Sequence, residues 1–310
     1  MRACPACHGP LHAWRRAPDH EPATRRTHLL LRCRACGSAV TEGPPPAPEA
    51  HSEGAYRPGR PRGAMLAAPL LRAFDRRRLA LLGAPAGTLL DVGAGRGRFV
   101  AHARAAGWDA RGIEPSPRET AAHVEAVSLE NACVEPGSVL AISLWHVLEH
   151  VEDPEAALRR LHGWLAPGGT LVVGVPNIAS LQARAAGPRW YHLDLPRHRT
   201  HFTASGIEQL LARCGFEVVR TEHVLLEHNP FGLWQSLVSR VTPTQSWLYH
   251  ALKRNAPVRT ADLVPTLLAL PLVPLALVAE FLAGRAGRGG TVAVVCRSTA
   301  GAEELAQLRP

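Results

Sequence analysis

The stretch LLDVGAGRGRF at 89–99 combines a carboxylate with three glycines in a pattern suited to holding a nucleotide-like ligand. Residues 88–92 form a short apolar β-run. Gly93, Gly95 and Gly97 then let the backbone turn tightly and approach a ligand where any Cβ would clash. The spacing is GxGxG, with Arg98 where the dinucleotide fingerprint GxGxxG needs its third glycine, and Asp91 stands one residue before the turn. Both features weaken a nicotinamide or flavin reading. A second β-run at 110–113 ends in Glu114, roughly the ~20-residue distance at which an acid accepts bonds from both ribose hydroxyls.

Two more groups of reactive side chains stand out. Cys4 and Cys7 form one CxxC pair and Cys33 and Cys36 another, with twenty-five residues between them. This is zinc-ribbon grammar: four thiolates close a tetrahedral site and leave no position for water, so the Zn2+ it implies is structural. A disulfide pair is the alternative, weakened because nothing indicates export. His8, His12 and His28 are substitutes for a thiolate. Cys133, Cys214 and Cys296 sit in apolar or strand contexts and are expected to be buried small residues. The other group follows an apolar run at 139–144, whose end at Leu144 should open onto the ligand crevice: Trp145, His146, Glu149 and His150. HVLEH formally fits the zinc-protease pattern HxxEH, but that motif needs a helix inside a protease fold and a further ligand, whereas here it follows a strand. Further along, LPRHRTHF supplies His198 and His201, with Arg197 available for a phosphate or carboxylate; a solvated basic loop is the bland reading of the same residues.

These blocks together resemble the class I S-adenosylmethionine (SAM)-dependent methyltransferases over residues 89–220. The segments are LLDVGAGRGRF, GIEPS (112–116), LWHVLEHVEDP (144–154), LAPGGTLVVGVPN (165–177), LPRHRTHFT (195–203) and LLARCGFEVV (210–219), in the family's order. The resemblance implies an α/β fold, a doubly wound seven-stranded Rossmann-like sheet, binding S-adenosyl-L-methionine. It implies that Asp91, Gly93, Gly95 and Gly97 contact the amino-acid part of the cofactor and Glu114 the ribose. Leu129, after a third strand around 123–127, would border the adenine, and Leu144 the crevice. HVLEH is similar to the Leu-Glu-His-Val block of small-molecule methyltransferases, including sugar C-methyltransferases with an N-terminal cysteine-rich zinc module. That similarity implies His150 as base and Glu149 as its orienting partner or a metal ligand; a helix-capping or packed histidine is the alternative. Methyl transfer is an in-line displacement at a sulfonium carbon, so the protein mainly aligns the acceptor and removes its proton. His146, His198 and His201 are further candidates for that work. Asn177 should face the same crevice, with Trp190, Tyr191 and His192 as a wall.

The elements that must position these residues divide the sequence. A zinc ribbon at 1–40, with a strand entering the second knuckle at 27–32, precedes a Pro/Gly-rich linker at 41–64 that cannot build a core. The SAM-binding core is expected at 65–227, beginning with a helix over 65–82 that carries Arg76, Arg77 and Arg78 on a solvated face, with contact to a phosphate as the alternative. An inserted apolar helical segment follows at 228–289, then the final strand of the sheet at 290–300 and a tail at 301–310. Within the insert, residues 263–279 carry no charge but contain Pro265, Pro271 and Pro274, while Lys253, Arg254 and Arg259 precede them and Arg285 and Arg288 follow. Seventeen residues is the lower margin for a span, and three prolines oppose a straight one. If the strand at 292–295 rejoins the sheet, both ends lie on one side. A re-entrant or surface-lying hairpin at a membrane is then expected through 263–284, against a lid or a homodimer surface.

At 310 residues and 46% hydrophobic composition the chain can bury a full α/β core. Its net charge of +9 raises nucleic acid or an anionic membrane as partners, yet Lys253 is the only lysine and the arginines are scattered without interleaved aromatics. That weighs against nucleic acid. MRACPACHG lacks the apolar run of a secretory signal, so the expected location is cytoplasmic, peripheral at the inner membrane face. The sequence therefore points to a methyltransferase acting on a small-molecule or lipid-linked glycan precursor, with His-assisted transfer to oxygen or carbon, quinone-type O-methylation being close kin. The rivals are an RNA-modifying methyltransferase and a non-catalytic SAM-binding scaffold that recruits a partner through its ribbon.

Overall fold

The structure, a computed structural model, describes residues 3–24, 26–46, 68–85, 87–116 and 122–299. Most of the expected linker, the start of the first helix and the tail at 301–310 lie outside those residues. In chain order the elements are β1 (Leu11–Pro18), β2 (Thr27–Cys33), β3 (Ala39–Thr41), α1 (Ala68–Leu82), β4 (Thr88–Val92), α2 (Arg98–Ala105), β5 (Asp109–Ile113) and β6 (Val124–Glu125). They continue with β7 (Val139–Trp145), α3 (Pro154–Trp164), β8 (Leu165–Pro176), α4 (Leu181–Ala186), β9 (Thr200–His201), α5 (Ala204–Arg213) and β10 (Phe216–Glu222). The last are α6 (Asn229–Val238), α7 (Trp247–Leu252), α8 (Thr260–Ala269), α9 (Val273–Arg285) and β11 (Thr291–Ser298).

The chain forms two compact units. One gathers Met65–Val175, Ile207–Thr221 and Ala293–Pro310; the other gathers Met1–Ala64, Pro176–Gly206 and Glu222–Val292.

The first unit is built on a seven-stranded mixed sheet in the order β10-β11-β8-β7-β4-β5-β6. Its central strands pair in parallel, β4 with β5 and β7, and β7 with β8. Strands covered on both faces need near-continuous apolar runs, and the LVVGV of β8 is buried throughout. Leu79, Leu82, Leu89, Phe99, Trp108 and Val172 form a core with α1 and α2 on one side of the sheet. Register places Asp91 opposite Gly112 and Ser143, and Val92 opposite Ile113 and Leu144, so the carboxyl ends of β4, β5 and β7 come level. In open α/β sheets that edge is where ligands bind. Of the three cysteines expected to be buried, Cys214 and Cys296 are, but Cys133 is exposed in the loop before β7.

The second unit holds a four-stranded antiparallel sheet, β1-β2-β3-β9. Its edge strand comes from LPRHRTHF: Ala39 pairs with His201 and Val40 with Thr200. A solvated loop is therefore the wrong reading of that segment, and Arg197, His198, Arg199 and His201 are all buried. Trp190 is fully buried with Ala17, Leu30 and Leu195, its indole N–H donating to Gln182 Oε1 at 2.9 Å. It is core and not a pocket wall.

The insert folds as α6 to α9. Thr260–Arg285 follows one helical path, with a 3-10 turn at Leu270–Leu272 between α8 and α9, and not the expected hairpin. Pro271 and Pro274 cause no break because they fall in the first positions of the turn and of α9, where helical N–H groups have no partner to lose. Pro265 is tolerated inside α8.

Candidate functional site

At the end of β4 the chain reverses through Gly93, Gly95 and Gly97, all at positive φ. The N–H groups of Gly93 and Ala94 donate to Ile113 O at 2.9 and 3.1 Å, anchoring the turn to β5. A Cβ on Gly93 would lie 2.3 Å from Val147 Cγ2, whereas one on Gly95 would meet no atom within 4 Å, so the turn is packed behind and open in front. Gly95 N–H donates to Glu114 Oε2 at 3.0 Å and Ser116 N–H to Oε1 at 3.4 Å. A carboxylate has about four lone-pair directions, so Glu114 retains acceptor capacity for two hydroxyls. Asp91 is buried and accepts from Ser143 Oγ at 2.6 Å; burial pushes its pKa up to about 6. Leu129 is buried in the turns after β6 and Leu144 is fully buried in β7. These groups fit an amino-acid and ribose moiety: an open glycine cradle, one acid poised for an ammonium group and one for a diol.

Immediately after β7, HVLEH forms a turn and not a helix, which disposes of the protease pattern; the N-cap of α3 is Asp153, whose side chain accepts from Ala156 N–H at 3.0 Å. His146 takes a positive φ, its N–H donating to Gly174 O at 2.9 Å and its Nδ1 standing 3.2 Å from Glu149 Oε1. Glu149 is buried, while His146 and His150 are half-buried. A Glu149 oxygen and a His150 ring nitrogen lie within 4.8 Å of each other. Glu149 is thus within hydrogen-bond reach of His146, a further candidate of the sequence reading. Arg78 of the Arg76–Arg78 run lies over the Trp145 ring at 4.5 Å.

His198 and His201 belong to the other unit. His198 Nδ1 contacts His192 O at 2.9 Å, and His201 Nε2 contacts Thr41 Oγ1 at 3.0 Å. Burial, with Arg15 and Arg199 nearby, pushes the His201 pKa down to about 3, so it is a weak proton acceptor at neutral pH. Asn177 spends its amide inside the same unit, donating to Gly289 O at 3.2 Å and accepting from Ala179 N–H at 3.1 Å.

Sequence reasoning missed a buried ionic network here. Arg197 donates from Nε to both Asp194 oxygens at 3.0 and 3.2 Å and from Nη1 to Glu21 Oε1 at 2.7 Å, and Asn255 donates to Glu21 Oε2 at 2.6 Å. Burial pushes the Asp194 carboxyl upward, but Arg197, His20 and His198 hold it well below the usual range. The partners are separated by up to 234 residues, and no spacing rule could have joined them.

The four ribbon cysteines converge. Their sulfurs all lie within 4.8 Å of one another, with Cys4 to Cys36 at 3.7 Å and Cys7 to Cys33 at 3.4 Å. A tetrahedral Zn–S4 site has sulfur–sulfur edges of ~3.8 Å, and a disulfide bond only ~2.05 Å. The donor set and its spacing fit a zinc ion. Gly9 is required beside it, since a Cβ there would stand 2.9 Å from Cys33 Sγ and 3.3 Å from Cys7 Sγ. His28, a conceivable substitute ligand, is taken by Asp19 at 3.1 Å.

This combination of sheet order, glycine turn and acids is that of a SAM-dependent methyltransferase. The family model "Methyltransferase domain" matches residues 65–221, and the chain belongs to that family as a class I SAM-dependent methyltransferase with a four-cysteine cluster near its N-terminus. Its sequence is 30% identical over 149 residues to the ubiquinone biosynthesis O-methyltransferases of Xanthomonas campestris pv. campestris strains B100 and 8004, covering 43% of this chain. The chain spans 61% of the length of those curated relatives. A solved structure of the mycolic acid cyclopropane synthase CmaA1 complexed with SAH and CTAB is similar in fold, at TM-score 0.50 and 18% identity, over 76% of this chain and 87% of that one.

Proposed function

We propose that this methyltransferase transfers a methyl group to a hydroxyl oxygen or a carbon of a small-molecule or lipid-linked glycan precursor, with His150 as the base. The observation that carries the reading is the convergence of the glycine turn, Glu114 and the HVLEH turn on the carboxyl ends of β4, β5 and β7. The similarity to O-methyltransferases of ubiquinone biosynthesis supports oxygen as the acceptor atom.

SAM, when bound, would supply a methyl group from its sulfonium sulfur, leaving a neutral thioether. The residues of the chain do the rest. Asp91 holds the ammonium group and Glu114 the ribose diol, with the peptide groups of the glycine turn fixing the amino-acid carboxylate; Leu129 borders the adenine. Half-buried His150 takes the acceptor proton as general base. Buried Glu149 holds His146 by its Nδ1, which fixes that ring as a second polar contact for the acceptor. His198 and His201 support the ribbon sheet, and the zinc held by the four cysteines is structural.

Replacing His150 with Ala is expected to lower the rate of methyl transfer by roughly 10²–10⁴-fold, the usual contribution of a positioned base. SAM affinity should stay unchanged. Turnover with a panel of quinols and nucleotide-sugars, read beside calorimetric SAM binding, checks this; an unaltered rate in His150→Ala removes His150 from the mechanism.

A further inference from the structure

The helical path Thr260–Arg285 has its two sides reversed relative to a helix made for water. Its buried residues are polar or small: Asp262, Thr266, Ala276, Glu280, Ala283 and Gly284. Its bulky aliphatic residues point out, with Leu268 75%, Leu275 64% and Leu282 59% exposed. The inner side makes its polar contacts within the protein. Asp262 accepts from Thr244 N–H at 2.9 Å and from its hydroxyl at 3.0 Å, Glu280 accepts from Gly290 N–H, and Trp234 of α6 donates to Ala269 O at 2.7 Å.

Three properties of the outer side decide what covers it. At about 100° per residue its large apolar side chains occupy on the order of 200° of the circumference, about twice the stripe a helix needs to pack on one protein face. One flat protein partner cannot cover that arc, but a fluid apolar medium can. Charge is distributed in the same sense: Asp262 and Glu280 are the only acids in 253–288 and both are buried, while Arg254, Arg259, Arg285 and Arg288 are exposed at the two ends. The apolar side runs the whole twenty-six residues, ~39 Å, and large contiguous apolar surfaces of this kind mark protein or membrane interaction sites.

We infer that this outer side is a lipid-docking surface that lies along the face of an anionic bilayer, its aliphatic side chains among the acyl chains and its terminal arginines on the headgroups. Because α6 packs against the inner side, the helix is not ringed by lipid and lies on the membrane without crossing it. The inference stands on this helix alone and not on the acceptor proposed above.

The test sediments the full chain with vesicles of phosphatidylcholine and phosphatidylglycerol, and with vesicles of phosphatidylcholine only. Leu268→Gln/Leu275→Gln and Arg285→Gln/Arg288→Gln double variants run alongside, each with its SAM affinity measured to report folding. The native chain is expected to pellet with the anionic vesicles; the leucine variant stays in the supernatant, and each arginine removed weakens binding roughly five-fold. Should the leucine variant fail to bind SAM, the arginine variant and the native chain decide alone. Native protein that stays in the supernatant with both vesicle types overturns the inference, as does pelleting that neither variant alters. A defined dimer without vesicle binding overturns it in favour of a second copy of the chain.

Discussion

Glu114→Ala is expected to bind SAM about a hundred-fold more weakly than the native chain, while folding normally. Glu114 follows the last residue of β5 and uses its two oxygens on the N–H groups of Gly95 and Ser116. One of those donors, Gly95, lies on the open side of the turn, where a Cβ would meet nothing. A hydrogen bond to a charged group contributes about 1.5–3 kcal/mol, so losing even one or two from the ribose diol gives a loss of that order. Ala at this position also frees the Gly95 turn, which adds to the effect on the ligand and not on the core. Asp91→Ala should weaken binding comparably, because its carboxylate is the counter-charge to the ligand ammonium. Calorimetric titration with far-UV circular dichroism as the folding control checks both. Native affinity in both variants removes the glycine turn from the cofactor site.

Loss of zinc is expected to have a larger consequence. Cys4, Cys7, Cys33 and Cys36 hold the ends of β1 and β2, and β3 and β9 complete that sheet with three residues and two. So few strand residues bury little apolar surface, and small metal modules draw apparent folding energies of about 10–16 kcal/mol from structural zinc. One zinc per chain should copurify, and Cys4→Ser or Cys36→Ser should lose it. Chelation should then release the ribbon, including the pairing of Val40 with Thr200. Metal analysis under reducing conditions and hydrogen exchange at Leu30 and Ala39 check this. A metal-free chain with a fully protected ribbon contradicts it.

The catalytic unit was legible in the sequence because its signals are local. LLDVGAGRGRF writes strand, turn and helix in one segment, and the two CxxC pairs state their chemistry by spacing. What stayed hidden depended on long-range pairing. Nothing in LPRHRTHF announces that Thr200 and His201 will form the edge of a sheet begun at Leu11, nor that Arg197 will be buried on Glu21 and Asp194. A run of histidines and arginines looks solvated until its partners are known. Ser143 is hidden for the same reason: only the register of β4 against β7 brings its hydroxyl to Asp91. The insert was half legible. Its apolar run and basic ends are plain, but its prolines argue against a straight path, whereas two of them fall at helical starts where they cost little.

The account rests on Asp91 and Glu114 receiving SAM, and the pH dependence of binding tests that most directly. Burial raises the Asp91 pKa to about 6, above the 3.8 of an exposed carboxyl, so at pH 5 it is mostly protonated and at pH 7 mostly ionised. Only the ionised form pairs with the ligand ammonium. SAM affinity should therefore rise roughly ten-fold from pH 5 to pH 7 in the native chain, following one ionisation near the Asp91 value. In Asp91→Asn it should be weaker and nearly flat over the same range. Equal affinity and an identical pH profile in the two proteins, or no saturable SAM binding by the native chain, would contradict the account.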